Sequence, residues 1–159
     1  MTETQTPDLT ALAELDGFEQ LMAIFSGGGP GAPIAETLGM DGFGGERGAI
    51  YVELVPEPRH YNPIGSVHGG VMSTLLDTAA ACSVHSTLAA GERYTSLDLN
   101  VKFLRPVTTD SGRLRCEGSV LQRGRRTALA EARLYDAQGR LVAHATSTCM
   151  IFPAEAPAG

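Results

Sequence analysis

NPIGSVHGGVMSTLLDTAAACSVHSTLAA, residues Asn62 to Ala90, decides how this chain folds. Its front half is a turn and its back half a helix. Pro63 and Gly65 are turn residues, and Gly69-Gly70 leaves the backbone uncovered where the apolar run begins. No Pro or Gly interrupts Val71 to Ala89, and Gly91 supplies a left-handed stop. The spacing predicts a helix of roughly twenty residues, about 30 Å long at 1.5 Å per residue. Val71, Met72, Leu75, Leu76, Ala79, Ala80, Ala81 and Val84 make it apolar nearly all round, which marks a buried, central helix wrapped by the rest of the chain.

Two features make the stretch chemical. The first N–H groups of a helix have no partner within it and carry the positive end of its dipole. Bared by two glycines, they can hold a developing oxyanion, as acyl transfer requires. The second feature is Asp77, whose helical neighbours Ser73, Thr74, Ala80 and Ala81 include no cation. An ordinary Asp faces solvent. This helix offers little polar face, and the glycine turn lies just upstream, so Asp77 is read as functional.

Composition narrows the classes. The 159 residues suit one domain with a real core. Twelve Lys and Arg against eighteen Asp and Glu leave −6, and Trp is absent, which argues against nucleic-acid binding. Cys82, Cys116 and Cys149 form no CxxC and read as buried free thiols in a reducing compartment. MTETQTPDLT is polar and acidic, unlike a signal peptide, and no apolar run is long enough to span a membrane without a charge. A cytoplasmic location is the default expectation. The histidines have no metal-ligand spacing with one another or with the cysteines, so neither a metal nor another cofactor is expected. Gly65-Ser66-Val67-His68-Gly69 is not a nucleophile elbow.

Before the organising stretch, Thr6 caps a helix that Pro7 opens, with Leu15, Phe18, Leu21, Met22 and Phe25 on one face. It ends at the flexible linker Gly27-Gly28-Gly29-Pro30-Gly31, which is no dinucleotide fingerprint because a helix precedes it. Ala35 to Leu38 fits one further turn of helix, stopped by Gly39. Residues 1–31 thus form an N-terminal helix and linker, 32–153 the folded domain, and 154–159 a disordered tail. Ala49 to Val55, Tyr94 to Leu104, Leu114 to Gln122, Thr127 to Tyr135 and Leu141 to Phe152 alternate as strands, with a glycine-rich sixth at Asp41 to Glu46. One long helix followed by strands on short turns predicts an α+β fold, an antiparallel sheet of five or six strands curled around that helix.

Asn62-Pro63-x-Gly65-x-x-His68-Gly69-Gly70, the helical acid Asp77, and Ser96-Leu97-Asp98-Leu99-Asn100-Val101-x-Phe103-Leu104-x-Pro106 together resemble a hotdog-fold acyl-CoA thioesterase of the phenylacetate-degradation (PaaI) type, from about Leu38 to Phe152. The resemblance implies an active site at a dimer interface, with the helix acid of one subunit facing the HGG turn of the other. It implies Asp77 as general base or as nucleophile, the Gly69 N–H on the thioester carbonyl beside Gly70, and the Asn62 amide near the carbonyl or the water. An acid in an apolar cavity has a raised pKa, by up to 3–5 units if fully buried. Ser96 is similar to the family's orienting hydroxyl, with Thr95 its alternative if the register is shifted by one. His68 is read chiefly as fixing the turn. Coenzyme A, part of the substrate, carries phosphates, for which Arg105, Arg123, Arg125 and Arg126 are the candidates. The alternative for those arginines is a solvated turn that blunts a sheet edge. Pairing of sheet edges makes a homodimer the expected unit, and a homotetramer its extension. Met72, Leu75, Leu76 and Phe103 are candidates to line an aryl or medium-chain acyl pocket. A hotdog lyase would need a different His and acid motif, and a non-catalytic acyl-CoA-binding module could dispense with Asp77.

Overall fold

A computed structural model of the chain describes residues 10–27 and 31–156. Three α-helices and seven strands follow in the order α1 (Gly17–Phe25), α2 (Pro33–Leu38), β1 (Met40–Glu46), β2 (Ala49–Leu54), α3 (Gly69–His85), β3 (Arg93–Ser96), β4 (Asn100–Phe103), β5 (Leu114–Arg123), β6 (Thr127–Tyr135) and β7 (Leu141–Phe152). All pairings are antiparallel, in the order β1-β2-β5-β6-β7-β3, with β4 also on β7. This single curled sheet around α3 is the hotdog arrangement.

The inner face of the sheet is built from small side chains. Ala128, Ala130, Ala132, Ala143 and Ala145 are all buried there and let α3 lie close. Gly118 marks the closest approach: a Cβ there would stand 2.1 Å from the Ala79 carbonyl oxygen. Two serines fasten the helix to β2 and its entry. Ser83 Oγ accepts from the Ile50 N–H at 3.0 Å and Ser86 Oγ from the Gly48 N–H at 2.7 Å. Each hydroxyl donates in turn to a carbonyl of α3, so neither is left stranded in the core.

The helix starts two residues before the predicted Val71, with His68 as its cap, and ends at His85 rather than near Ala89. Nor is it buried all round. Met72, Leu75, Leu76, Ala79, Ala80, Ser83 and Val84 are buried, while Val71, Ser73, Thr74, Asp77, Thr78, Ala81 and Cys82 are only half-buried. A single-layer sheet covers one side of the helix; α1 lies over part of the other.

Tyr94 to Leu104 is two strands, not one. Ser96 pairs with Cys149 and Asn100 with Thr146, so four steps on one strand face three on the other, a bulge. Asp98 makes it: its carboxylate accepts from the Thr148 N–H at 2.8 Å, and its carbonyl accepts from Ser147 Oγ at 2.9 Å. The proposed cap at Thr6-Pro7 lies outside the described residues. Among those described, no single helix runs from Thr10 to Phe25; a 3-10 turn at Thr10–Leu12 is followed by a fresh start at Asp16, whose side chain and Glu19 form a reciprocal capping box. The short helix at 35–38 is present as α2, ended by Gly39 at φ +76°. The tail beyond 153 is without regular structure through 156, and 157–159 lie outside the described residues.

Candidate active site

The turn ahead of α3 is held by its own side chains. His60 is buried, its Nδ1 accepting from the Glu57 N–H at 2.9 Å and its Nε2 standing 2.8 Å from the Leu38 carbonyl, so Nε2 carries the proton. Asn62 Oδ1 accepts from the N–H groups of Ile64 and Ser66 at 3.1 and 3.2 Å, and its Nδ2 donates to Ser66 Oγ at 3.1 Å. His68 caps the helix: its Nδ1 accepts from the Gly70 N–H at 2.8 Å. With Gly70 engaged, the Gly69 N–H is the helix-start donor that meets no acceptor among the described residues. The Phe103 ring packs where a Gly69 side chain would be, 2.9 Å from a Cβ placed there. Asn62, Gly69, Met72, Phe103 and Arg105 share one open cleft of about 410 Å³.

Asp77 lies elsewhere. It is half-buried on the open face of α3, accepts from Ser96 Oγ at 3.3 Å, and pairs with no cation among the described residues. Ser96, not Thr95, faces the acid; Thr95 is exposed and, by strand alternation, points the other way. Behind Ser96, at 3.9 Å, sits the Cys149 thiol, pushed up by burial. Eight residues of helix separate Asp77 from Gly69, about 12 Å along the axis. The acid–hydroxyl pair and the glycine turn are therefore two separate places within one chain.

The candidate arginines are dispersed. Arg105 is exposed in the cleft with Gly69. Arg125 and Arg126 are exposed in the β5–β6 turn, at the level of Tyr94 across the sheet. Arg123 is occupied within its own chain: Nη2 donates to Glu92 Oε2 at 2.7 Å, Nε to Thr87 Oγ1 at 3.1 Å, and Nη1 to the Gly124 carbonyl. It ties the segment after α3 to the sheet.

Sequence reasoning missed an apolar cavity of about 570 Å³ between α1, α2 and the open face of α3. Phe43, Thr78, Cys82, Tyr94 and His85 are among its walls. Leu75 and Leu76, two of the residues proposed for an acyl pocket, instead point into the core at 0 % exposure. The half-buried stripe at Thr78, Cys82 and His85, spaced by four and three residues, was the readable signal.

Among the described residues no cluster of His, Cys, Asp and Glu is arranged to hold a metal ion, and no helix is long and apolar enough to cross a membrane. A family model described as thioesterase superfamily matches residues 64–143. The chain is 30% identical over 95 residues to the proofreading thioesterase EntH of Klebsiella pneumoniae subsp. pneumoniae, covering 60% of this chain and 68% of that one. It is 28% identical over 102 residues to human acyl-coenzyme A thioesterase 13, covering 64% and 71%. Among solved structures, a phenylacetic acid degradation-related protein of Ralstonia eutropha JMP134 is similar at 33% identity and a TM-score of 0.74, over 82% of this chain and 98% of that one.

Proposed function

We propose that this chain, which belongs to the thioesterase superfamily and is a thioester hydrolase, cleaves acyl-CoA thioesters, with Asp77 as general base or nucleophile. The observation that carries this reading is the state of Asp77: a half-buried carboxylate on an open helix face, with no cation paired to it among the described residues and one hydroxyl, Ser96, orienting it. Such a group is available to activate water or to attack a carbonyl.

The acid–hydroxyl pair and the glycine turn complete each other if two chains pair about a twofold axis. In that dimer the Gly69 N–H of one chain polarises the thioester carbonyl while the Asp77–Ser96 pair of the other delivers the attack. The exposed Leu97, Phe103 and Leu104 beside β4, at the sheet edge, supply the apolar surface such a contact needs. His68 fixes the turn so that the donor at Gly69 stays free, with Gly70 bonded to it. Asn62 holds the loop and so the position of that donor. Arg105, in the same cleft, is the first contact for the CoA phosphates, with Arg125 and Arg126 as the further exposed arginines.

Thiol release from a panel of aryl- and alkyl-CoA esters, with wild type and Asp77→Asn side by side, tests the reading. A loss of about 10² or more with the fold intact is expected. Unchanged turnover in the variant removes Asp77 from the chemistry. Tight CoA binding without turnover by wild type leaves a binding module instead.

A further inference from the structure

We propose that the acyl group of the substrate lies in the cavity between α1, α3 and β3, and that the hydrogen bond between His85 and Gln20 forms its end wall and sets the acyl length. The proposal rests on the thioester-hydrolase reading and deepens it by assigning the pocket that selects the acyl group.

The cavity begins at Thr78, the residue after Asp77, and follows α3 through Cys82 to His85. Tyr94, also in its lining, stands two residues from Ser96 on the same face of β3, so the cavity has a lining residue next to each member of the acid–hydroxyl pair. The lining suits an apolar acyl group. Ile24, Phe43 and Tyr94 are large and apolar in their bodies, and Thr78 Oγ1 donates to the Thr74 carbonyl at 2.7 Å. Burial and the nearby Asp77 push the Cys82 thiol up to about 12, so it remains a neutral, inert wall. A volume of about 570 Å³ falls in the range of pockets that enclose small ligands.

The end wall is built, not incidental. Gln20 Nε2 donates to the carbonyls of Leu12 and Leu15 at 3.0 and 3.1 Å, which turns its oxygen to His85 Nε2 at 2.8 Å. Burial holds the His85 pKa below its usual value, so the ring is neutral and Nε2 donates. Beyond this pair lies a second cavity of about 470 Å³ that shares Ile24, His85 and Tyr94 with the first and has Gln20 in its wall. From Thr78 to His85 the helix advances about 10 Å, the reach of an acyl group of about eight carbons, straight or ending in a ring. Removing the wall joins the two cavities and lengthens the acyl group accepted.

The test is kcat/KM for butyryl-, octanoyl-, dodecanoyl- and phenylacetyl-CoA, with wild type, Gln20→Ala and Cys82→Leu. Wild type favours octanoyl and phenylacetyl over dodecanoyl. Gln20→Ala raises the dodecanoyl-to-octanoyl ratio about tenfold or more, and Cys82→Leu, which adds bulk midway, lowers the octanoyl-to-butyryl ratio by a similar factor. Should Gln20→Ala fail to fold, Cys82→Leu carries the test alone. Ratios that stay at their wild-type values in folded, active variants overturn the pocket and leave the thioesterase standing. Absence of turnover by wild type on all four esters overturns the hydrolase reading, and the proposal with it.

Discussion

Gly17→Ala is a small change with a large expected effect. The α1 backbone at Gly17 runs against the end of α3, where a Cβ would stand 1.8 Å from the His85 carbonyl oxygen. Ordinary van der Waals contact begins at 3.4 Å, so α1 must retreat by about 1.6 Å (3.4 less 1.8). That retreat breaks the Gly17 N–H bond to the Leu88 carbonyl, now 2.9 Å, and the Gln20–His85 bond, now 2.8 Å. At about 1 kcal/mol for each lost hydrogen bond, with some packing lost around the buried Leu21, the expected destabilisation is about 2–3 kcal/mol. For a chain of this size that lowers the Tm by about 5–10 °C. Thermal unfolding at one fixed protein concentration measures it, since assembly makes Tm concentration-dependent. A Tm within about 1 °C of wild type would refute the close packing of α1 on α3, and with it the rigid wall assigned to the acyl cavity.

The arginines separate cleanly. Arg105→Ala raises KM for acyl-CoA several-fold with little change in kcat, an effect that shrinks as salt is raised; Arg123→Ala leaves KM in place and lowers the Tm, because it frees Glu92 and Thr87. Stability also falls in acid through His85. Its folded pKa lies below its unfolded value, so its neutral form favours folding: its contribution is full above about pH 6.5 and is lost as the pH drops below that. Thermal scans from pH 7.5 to 5 show a smaller decline in His85→Asn than in wild type; equal slopes contradict this role.

Much of the fold was legible because local patterns agreed with it. Strands β2, β5, β6 and β7 alternate with period two, and α3 falls within the stretch free of Pro and of interior Gly that follows Gly69-Gly70, although it stops at His85, short of Gly91. The break at Asp98 was not legible, since it depends on Ser147 and Thr148, about fifty residues away in the chain. The start of α1 was readable but outweighed: Asp16-Gly17-Phe18-Glu19 carries a capping box, while Thr6-Pro7 offered a competing signal. At the candidate site, the assignment of Ser96 over Thr95 needed the strand's orientation, which the bulge after it sets. Arg123 could not be read as engaged, because its partners Glu92 and Thr87 are joined to it only by the fold. The cavity over α3 escaped notice because it faces away from the sheet; its stripe of Thr78, Cys82 and His85 stands in the sequence but was passed over in a helix read as apolar nearly all round.

If one active site draws on two chains, variants disabled in different parts of it regain activity when their subunits exchange. Asp77→Asn and Asn62→Ala are prepared as separate homodimers, each expected to be inactive, then mixed under conditions that allow exchange. Random exchange makes half of the dimers mixed, each with one site in which Asp77 and Asn62 are both intact, so about a quarter of wild-type activity returns. A mixture that exchanges subunits yet stays inactive contradicts the composite site.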